Sequence, residues 1–261
     1  MGADGVMLCA LVRADLDRKM YPYQRVGVRW IVGNFWSGGA ILADDPGLGK
    51  TLQAVATVEA LISYRLVSRV LIVVPAHQVK NWSTEFMHWL GADARTTLHV
   101  DVAGADVAGV STARKLGSLA AVPPPPQLGQ AFEHSILIVS YEALHDHGDA
   151  LFASASVGVD LLVVDEAHRL RNSDGEHASA VAHVPAAARL LLTATPMPNA
   201  PGELYSLVDL ARPGRLSSPF DFDKYLAKPI AAGRQADASA SQVARLSRAW
   251  KYAMSACGAR T

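Results

Sequence analysis

The hydrophobic residues of this chain fall into short apolar runs separated by longer stretches with helical spacing. Most runs are apolar throughout rather than alternating, which is typical of strands covered on both faces of a parallel sheet. The runs lie at Ala40–Ala43, Val70–Val74, Leu98–Val102, Ile136–Ser140, Leu161–Val164 and Leu190–Thr193. The helical patterns lie at Tyr23–Phe35, Thr51–Tyr64, His77–Leu90 and Pro201–Ala211. This alternation predicts an α/β fold, with a doubly wound, mainly parallel sheet and helices on both of its faces.

Two regions depart from this order. Residues 103–130 are rich in Ala, Gly and Ser and contain four consecutive prolines, Pro123–Pro126, which neither continue a helix nor donate to a sheet. We interpret this region as a surface insertion rather than as a polyproline ligand for a partner domain. From Arg234 onward helix-forming residues dominate, no strand is predicted, and the local charge is 5 − 1 = +4. The predicted division is an N-terminal extension (1–19), a lobe (20–216) and a basic, helix-prone C-terminal segment (217–261).

Composition narrows the class of protein. The 261 residues include 24 Lys plus Arg and 24 Asp plus Glu, a formal net charge of 24 − 24 = 0, which argues against binding nucleic acid by bulk positive charge. Half of the residues are hydrophobic, enough for a sizeable core. The two cysteines, Cys9 and Cys257, cannot form a disulfide framework or a zinc ribbon. No apolar run reaches the ~18 residues of a membrane span, so we expect an intracellular protein without a membrane partner.

A candidate phosphate-binding loop follows the first predicted strand. Residues 44–51 read Asp-Asp-Pro-Gly-Leu-Gly-Lys-Thr and open a predicted helix. Gly47 and Gly49 allow main-chain N–H groups to turn toward an anion, and Lys50 adds a mobile positive charge. The Thr51 hydroxyl is suited to Mg²⁺. The strict Walker pattern has a glycine where Asp44 stands.

The second chemical signal is an acidic pair. Asp165 and Glu166 directly follow the apolar run that ends at Val164. Mg²⁺ prefers hard oxygen ligands, and an attacking water needs a nearby proton acceptor, so both roles require carboxylates. An acidic pair alone is also compatible with a solvated turn. With the phosphate loop upstream, a metal site becomes the favoured interpretation.

Six motifs between Tyr21 and Leu216, about three quarters of the chain, resemble the N-terminal motor lobe of the Swi/Snf-type ATPases, which are superfamily-two DNA translocases. The motifs are Tyr21-Pro22-Tyr23-Gln24-Arg25, residues 44–51, Val73-Val74-Pro75 with Asn81-Trp82, Ser140-Tyr141-Glu142, residues 165–172 (Asp-Glu-Ala-His-Arg-Leu-Arg-Asn), and residues 192–199 (Leu-Thr-Ala-Thr-Pro-Met-Pro-Asn). The resemblance implies a RecA-like P-loop NTPase lobe. It also implies ATP and Mg²⁺ as cofactors and double-stranded DNA or chromatin as partner.

The resemblance implies a role for individual residues of the nucleotide site. Gln24 reads the adenine edge. The residues implied to hold the nucleotide are Asp45, Gly47, Leu48, Gly49, Lys50 and Thr51. Thr51 and Asp165 are implied to hold the metal. The implied catalytic residues are Lys50, Asp165 and Glu166.

A further set of residues is implied to communicate with DNA. Thr193 and Thr195 belong to the segment that couples nucleotide state to DNA contact. Pro75, Lys80 and Ser140 lie on loops that track a DNA strand, where a lysine and a serine suit contact with phosphates. Because such contacts are local, zero net charge does not exclude them.

The chain departs from the family pattern at two motifs. Asp44-Asp45-Pro46 stands where Asp-Glu-Met is common, and Pro198 stands where the family has Gln. The residues after Leu216, including Phe220-Asp221-Phe222-Asp223-Lys224-Tyr225, resemble the recombination-type branch. A nuclear location is implied by the resemblance only, and a cytoplasmic location is the alternative.

The resemblance also raises the question of a second lobe. Swi/Snf-type motors close ATP between two lobes, and the second supplies arginine fingers worth about 10³–10⁵ in rate in phosphoryl transfer. The pattern after Ile230 shows no second strand-helix alternation, so we expect slow or absent hydrolysis without another lobe or a protein partner. Two alternatives remain open: a fragment of an Asp-Glu-Ala-His-type helicase, and a non-catalytic nucleotide-binding or interaction module.

Overall fold

A computed structural model describes residues 12–90, 100–103, 119, 133–152, 158–171, 175–194, 201–216, 218–233, 235, 237–257 and 259–260. Apart from residues 103 and 119, the predicted insertion at 103–130 lies outside these ranges. Within them the strands are β1 (Gly39–Leu42), β2 (Arg69–Val74), β3 (Val100–Ala103), β4 (Ser135–Ser140), β5 (Val159–Val164), β6 (Ala186–Leu192) and β7 (Ala259–Arg260).

Helices connect these strands. In chain order they are α1 (Ala14–Lys19), α2 (Pro22–Phe35), α3 (Lys50–Ser63), α4 (Val79–Leu90), α5 (Tyr141–Phe152), α6 (Glu176–His183), α7 (Pro201–Ala211), α8 (Pro219–Phe222), α9 (Lys228–Gly233) and α10 (Ala240–Cys257). Two 3-10 turns, Ala76–Gln78 and Ala167–Leu170, and one π-helical turn, Asp223–Ala227, complete the described elements. The sequence pattern did not predict α5 or α6. Because α6 has only eight residues, mostly small or polar, its apolar stripe is too short to recognise.

The strands form one sheet in the order β3-β4-β2-β5-β6-β1-β7, and every pairing between neighbours is parallel. The predicted doubly wound α/β fold is therefore confirmed. The predicted strand at Leu98–Val102 is displaced slightly, since β3 spans Val100–Ala103. The expectation of no strand after Arg234 was wrong: β7 returns to the sheet and pairs with β1. A two-residue strand has too few positions to produce a hydrophobic pattern.

The core lies on both faces of this sheet. Successive side chains of a strand point to opposite faces, so the apolar runs supply two layers at once. In β2, Leu71 and Val73 pack in one layer, and Val70 and Ile72 pack in the other. The first layer is covered by α5, α6 and α7 and the second by α2, α3 and α4. Helices on two sides thereby fix the strand ends on which the site is built.

The C-terminal helices share this core. Leu216, Phe222, Leu226, Ile230 and Ala249 are buried with residues of the first layer. The described helices after residue 217 are thus packed against the lobe through apolar contacts. No helix in the described ranges combines the length and apolar character needed to cross a bilayer.

Candidate nucleotide-binding site

The predicted site residues meet at the carboxyl edge of the sheet. The loop at residues 44–49 follows β1, Thr193 follows β6, and Asp165 follows β5. Because β6 lies between β1 and β5, these three segments are side by side. In open parallel sheets, ligands bind in the crevice outside these strand ends.

A cavity of about 510 Å³ opens at this edge. Seven residues predicted for nucleotide binding, metal binding or catalysis line this cavity: Gln24, Gly47, Gly49, Lys50, Thr51, Asp165 and Glu166. Asp45 and Leu48 belong to the loop but are not among the described residues that line the cavity. A segment near the chain start and two distant strand ends therefore converge on one space, large enough for a small-molecule ligand.

The phosphate loop depends on glycine at two positions. Gly47 and Gly49 have φ of 83° and 75°, in the left-handed region that L side chains rarely adopt. Gly49 directly precedes α3, so the main-chain N–H groups of the first helical turn face the loop. A Cβ on Gly49 would lie 2.4 Å from Gln24 Nε2, whereas one on Gly47 meets nothing within 4 Å. Glycine at position 49 thus also allows close approach of Gln24.

Lys50 is bonded to the loop itself in this structure. Its Nζ donates to the main-chain carbonyls of Asp44 and Asp45 at 2.8 and 3.3 Å. Asp44, at the position where the Walker pattern has glycine, is buried, and its Oδ2 accepts from Gln53 Nε2 at 2.9 Å. The Asp44 side chain thus anchors the start of the loop to α3.

Gln24 is buried against the loop, and its side-chain amide uses half of its hydrogen-bonding capacity there. Its Oε1 accepts the main-chain N–H of Tyr21 at 2.9 Å, and its Nε2 donates to the Leu48 carbonyl at 3.1 Å. A glutamine amide has two N–H donors and two acceptor lone pairs, so one of each remains. Adenine offers the complementary pair, the N7 acceptor and the N6 donor. The remaining capacity of Gln24 therefore suits adenine.

Asp165 is held at four atoms. Its Oδ2 accepts from the Trp82 indole Nε1 at 2.8 Å, and its Oδ1 accepts the Glu166 main-chain N–H at 2.8 Å. Its own N–H donates to the Val73 carbonyl at 2.9 Å, and its carbonyl accepts from the Tyr141 hydroxyl at 2.5 Å. Burial raises the pKa of the Asp165 carboxyl, and the Trp82 hydrogen bond opposes that rise. The carboxyl is therefore partly desolvated and oriented.

Glu166 has an uncommon backbone conformation. Its φ is 50°, left-handed for a residue with a side chain, at a typical cost of about 1–3 kcal/mol. It directly precedes the 3-10 turn Ala167–Leu170, and its Oε2 lies 3.0 Å from His168 Nδ1. The conformation turns the chain sharply after Asp165. Both carboxylates nevertheless line the same cavity.

The residues present fit a magnesium ion. Thr51 lies in the first turn of α3 and Asp165 at the end of β5, and both line the cavity. A hydroxyl and a carboxylate are hard oxygen donors of the kind that Mg²⁺ takes, with waters and phosphate oxygens completing the octahedron. Each Asp165 oxygen accepts one hydrogen bond and keeps capacity for another partner.

The residues predicted to communicate with DNA occupy different surroundings. Lys80 is exposed in the first turn of α4, and Pro75 is buried at the end of β2. Ser140 is buried at the end of β4, and its hydroxyl accepts the Ala143 N–H at 3.1 Å, as a helix cap does. Thr193 is fully buried, and its N–H donates to the Leu42 carbonyl at 3.1 Å, joining the ends of β6 and β1. Thr195 lies outside the described residues.

Several residues of the site were not predicted to contact it. Trp82 and Tyr141 hold Asp165, although both were noted only as parts of motifs. In the sequence they lie close to Lys80 and Ser140, which were predicted to contact DNA. This proximity was the signal that could have identified them. The cavity is also lined by residues to which no nucleotide or metal role was assigned: Lys19, Tyr21, Pro46, Leu52, Gln78, Asn81, Glu85, Trp89 and Ala194.

A model of the SNF2-related domain matches residues 23–254 of this chain. The chain belongs to the SNF2-related domain family. The match extends through the C-terminal helices, which agrees with their packing on the core of the lobe. The match also favours a Swi/Snf-type lobe over a fragment of an Asp-Glu-Ala-His-type helicase.

Relatives of this SNF2-related domain include DNA repair and recombination proteins. It is 34% identical over 212 residues to the DNA repair and recombination protein RAD54 of Saccharomyces cerevisiae, covering 79% of this chain and 23% of that protein. It is 34% identical over 240 residues to the RAD54 of Oryza sativa subsp. japonica, covering 87% of this chain and 23% of that protein. The chain thus spans about a quarter of the length of these relatives. Their names agree with the recombination-type branch expected from the residues after Leu216.

The fold of the SNF2-related domain is also similar to a solved structure, the Sulfolobus solfataricus SWI2/SNF2 ATPase core in complex with dsDNA. The TM-score is 0.64 at 26% sequence identity, and the match covers 91% of this chain and 44% of the solved chain. A second solved structure, the Sulfolobus solfataricus SWI2/SNF2 ATPase core domain, matches with a TM-score of 0.66 at 25% identity. The expected RecA-like lobe is therefore confirmed.

Proposed function

We propose that this chain is the MgATP-binding lobe of a DNA-dependent ATPase and translocase of the Swi/Snf type, acting in DNA repair or chromatin remodelling. The observation that carries the proposal is the convergence of the phosphate loop, Gln24 and the acidic pair on one cavity of about 510 Å³. These segments are far apart in the chain, and a single ligand with a base, phosphates and a metal accounts for all of them.

The base and the phosphates of the nucleotide each have a matching group. The adenine edge takes the remaining donor and acceptor of Gln24. The phosphates take the main-chain N–H groups at the start of α3, and the Lys50 ammonium exchanges its carbonyl contacts with Asp44 and Asp45 for phosphate oxygens. This exchange is favourable because a charged acceptor binds an ammonium more strongly than a neutral carbonyl does.

The acidic pair divides the chemistry of hydrolysis. Thr51 and Asp165 would hold Mg²⁺, which would supply positive charge beside the phosphates. Glu166 lines the same cavity and would accept a proton from an attacking water. Within the described part of the chain, all of these groups come from one lobe. We therefore expect the purified 261 residues to hydrolyse ATP more slowly than a two-lobed family member, in which a facing lobe adds cations to the site.

Double-stranded DNA is the proposed partner. The solved relative whose structure includes dsDNA and the repair proteins of similar sequence support this assignment. Among the residues predicted to contact DNA, Lys80 at the start of α4 is an exposed cation, as a phosphate contact requires. The eukaryotic repair proteins of similar sequence support a nuclear location. A second motor lobe or a protein partner is the proposed source of the groups that complete the site.

The test measures ATP binding and turnover by the purified chain. ATP and GTP are titrated in Mg²⁺, and phosphate release is followed with and without linear double-stranded DNA. We expect saturable binding that prefers ATP, loss of that preference in Gln24→Ala, and slow phosphate release. Absence of ATP binding would overturn the proposal and leave a non-catalytic interaction module. Turnover as fast as that of a two-lobed family member, abolished by Lys50→Ala, would overturn the slow hydrolysis.

A further inference from the structure

A buried tryptophan on α4 contacts the acid that ends β5. The Trp82 side chain is 0% exposed, and its indole N–H donates to Asp165 Oδ2 at 2.8 Å. The other oxygen, Oδ1, accepts the main-chain N–H of Glu166 at 2.8 Å. Because each oxygen has its own donor, the carboxylate plane cannot rotate without breaking one of the two hydrogen bonds.

The main chain of Asp165 is anchored without help from Trp82. Its N–H donates to Val73 in the neighbouring strand β2, and its carbonyl accepts from the buried hydroxyl of Tyr141 on α5. These contacts fix where the residue sits in the sheet. The indole N–H acts on the carboxylate alone, so the two effects can be separated by substitution.

Packing and hydrogen bonding at Trp82 can also be separated. Its ring belongs to the core layer between α4 and the sheet, and its centroid lies 6.5 Å from that of Phe86. Phenylalanine at position 82 keeps an aromatic ring in this layer and removes the N–H. A role in packing alone predicts that the metal site tolerates this change.

The same helix provides a matched control. Trp89 also donates its indole N–H to a carboxylate, Glu85 Oε2 at 2.6 Å. Trp89 and Glu85 line the same cavity as Asp165, but their hydrogen bond is confined to α4. Trp89→Phe therefore removes the same type of interaction from the same helix and leaves Asp165 untouched.

We infer that Trp82 is a positioning residue for the metal-binding acid: its indole N–H holds the Asp165 carboxylate in the orientation that takes Mg²⁺ with the bound nucleotide. The inference rests on the proposed function, since it needs Asp165 to act on magnesium. Each Asp165 oxygen accepts one protein hydrogen bond and keeps capacity for the hydrated ion. Partners that orient a metal ligand typically contribute about 10- to 100-fold to metal affinity.

The first test compares ATP affinity in Mg²⁺ and in EDTA, by isothermal titration of the purified chain. The quantity of interest is the gain in affinity that Mg²⁺ provides. In Trp82→Phe we expect this gain to fall by about tenfold, with the affinity in EDTA within about twofold of wild type. Trp89→Phe is expected to keep the Mg²⁺ gain, because its hydrogen bond does not involve Asp165; any change that it causes as a cavity residue should be equal in Mg²⁺ and in EDTA.

Four results would overturn the inference. A full Mg²⁺ gain in Trp82→Phe means that the indole does not position the acid. An equal loss of affinity in Mg²⁺ and in EDTA for Trp82→Phe, or an equal fall of the Mg²⁺ gain in Trp89→Phe, means a general disturbance of α4. Wild-type protein that gains nothing from Mg²⁺ contradicts the proposed function itself, and the inference with it.

A second measurement reports on the hydrogen bond itself. The chain has five tryptophans, so an indole-labelled sample gives five N–H signals in an NMR spectrum without nucleotide. The Trp82 signal is identified by its loss in Trp82→Phe or by the slow exchange of its proton with solvent. Asp165→Ala is expected to shift this signal and to accelerate that exchange. A spectrum in which all five signals keep their positions and exchange rates would overturn the inference.

Discussion

The two halves of the candidate site are built in different ways. The phosphate loop consists of consecutive residues, is exposed from Asp45 to Leu48, and takes its shape from two glycines at positive φ. The acid half is partly buried, and Asp165 is bonded to Tyr141 and Trp82, which lie 24 and 83 positions away in the chain. A loop of the first kind can exchange internal contacts for a ligand, whereas the second kind presents a carboxylate already in place. The candidate site thus combines a loop that can adapt to an anion with a carboxylate whose orientation is set in advance.

Among the substitutions that test this comparison, we expect the largest change in ATP affinity from one at Lys50. Lys50→Ala removes the one charged group of the loop that lines the cavity, and we expect ATP affinity to fall by about 2 kcal/mol, roughly 30-fold. Stability should change little, because the ammonium bonds only carbonyls of its own loop. Titration with ATP and a thermal melt measure the two quantities. Lys80→Ala, which removes an exposed lysine from α4, is the control and should leave ATP affinity unchanged.

The next effect separates the two glycines of the loop. Alanine at either position adopts an unfavourable left-handed backbone, at a cost of about 1–2 kcal/mol. At Gly49 the added Cβ also meets the Gln24 amide at 2.4 Å, whereas at Gly47 the space is open. We therefore expect urea unfolding to show Gly49→Ala as less stable than Gly47→Ala by about 1 kcal/mol. Equal losses would mean that the loop is adaptable throughout and not braced by Gln24.

A smaller effect is expected at the acid half. Tyr141→Phe leaves the Asp165 carbonyl without its hydroxyl donor, and we expect the free energy of unfolding to fall by about 1 kcal/mol. Tyr205→Phe is the control, because the Tyr205 hydroxyl makes no hydrogen bond within the described part of the chain. If both variants unfolded at the same urea concentration as wild type, the acid half would be less tightly held than the structure indicates.

The loop half could be predicted from sequence because its chemistry is local. The glycines, the lysine and the threonine follow the first strand within a few consecutive residues, and the acidic pair directly follows β5. Their meeting at one edge follows from the parallel sheet, which the uninterrupted apolar runs predicted. Asp44 differs: its departure from the Walker pattern was visible, but its hydrogen bond to Gln53 on α3 was not.

The contacts that hold Asp165 could not be predicted in this way. Trp82 and Tyr141 were visible as motif residues, yet nothing local relates an indole N–H to a carboxylate 83 positions later. The buried state of Ser140 and its use as a helix cap depend in the same way on α5, a helix that the apolar pattern did not predict. Strand β7 was missed because its two residues pair with β1, at the far end of the chain.

One measurement tests the central claim, that both halves bind a single MgATP. ATP is titrated into wild type, Lys50→Ala and Asp165→Ala, each in Mg²⁺ and in EDTA. We predict that Lys50→Ala weakens binding in both conditions and that Asp165→Ala abolishes only the gain from Mg²⁺. If Asp165→Ala retained the full gain, or if Lys50→Ala bound ATP as tightly as wild type, the two halves would not form one nucleotide site.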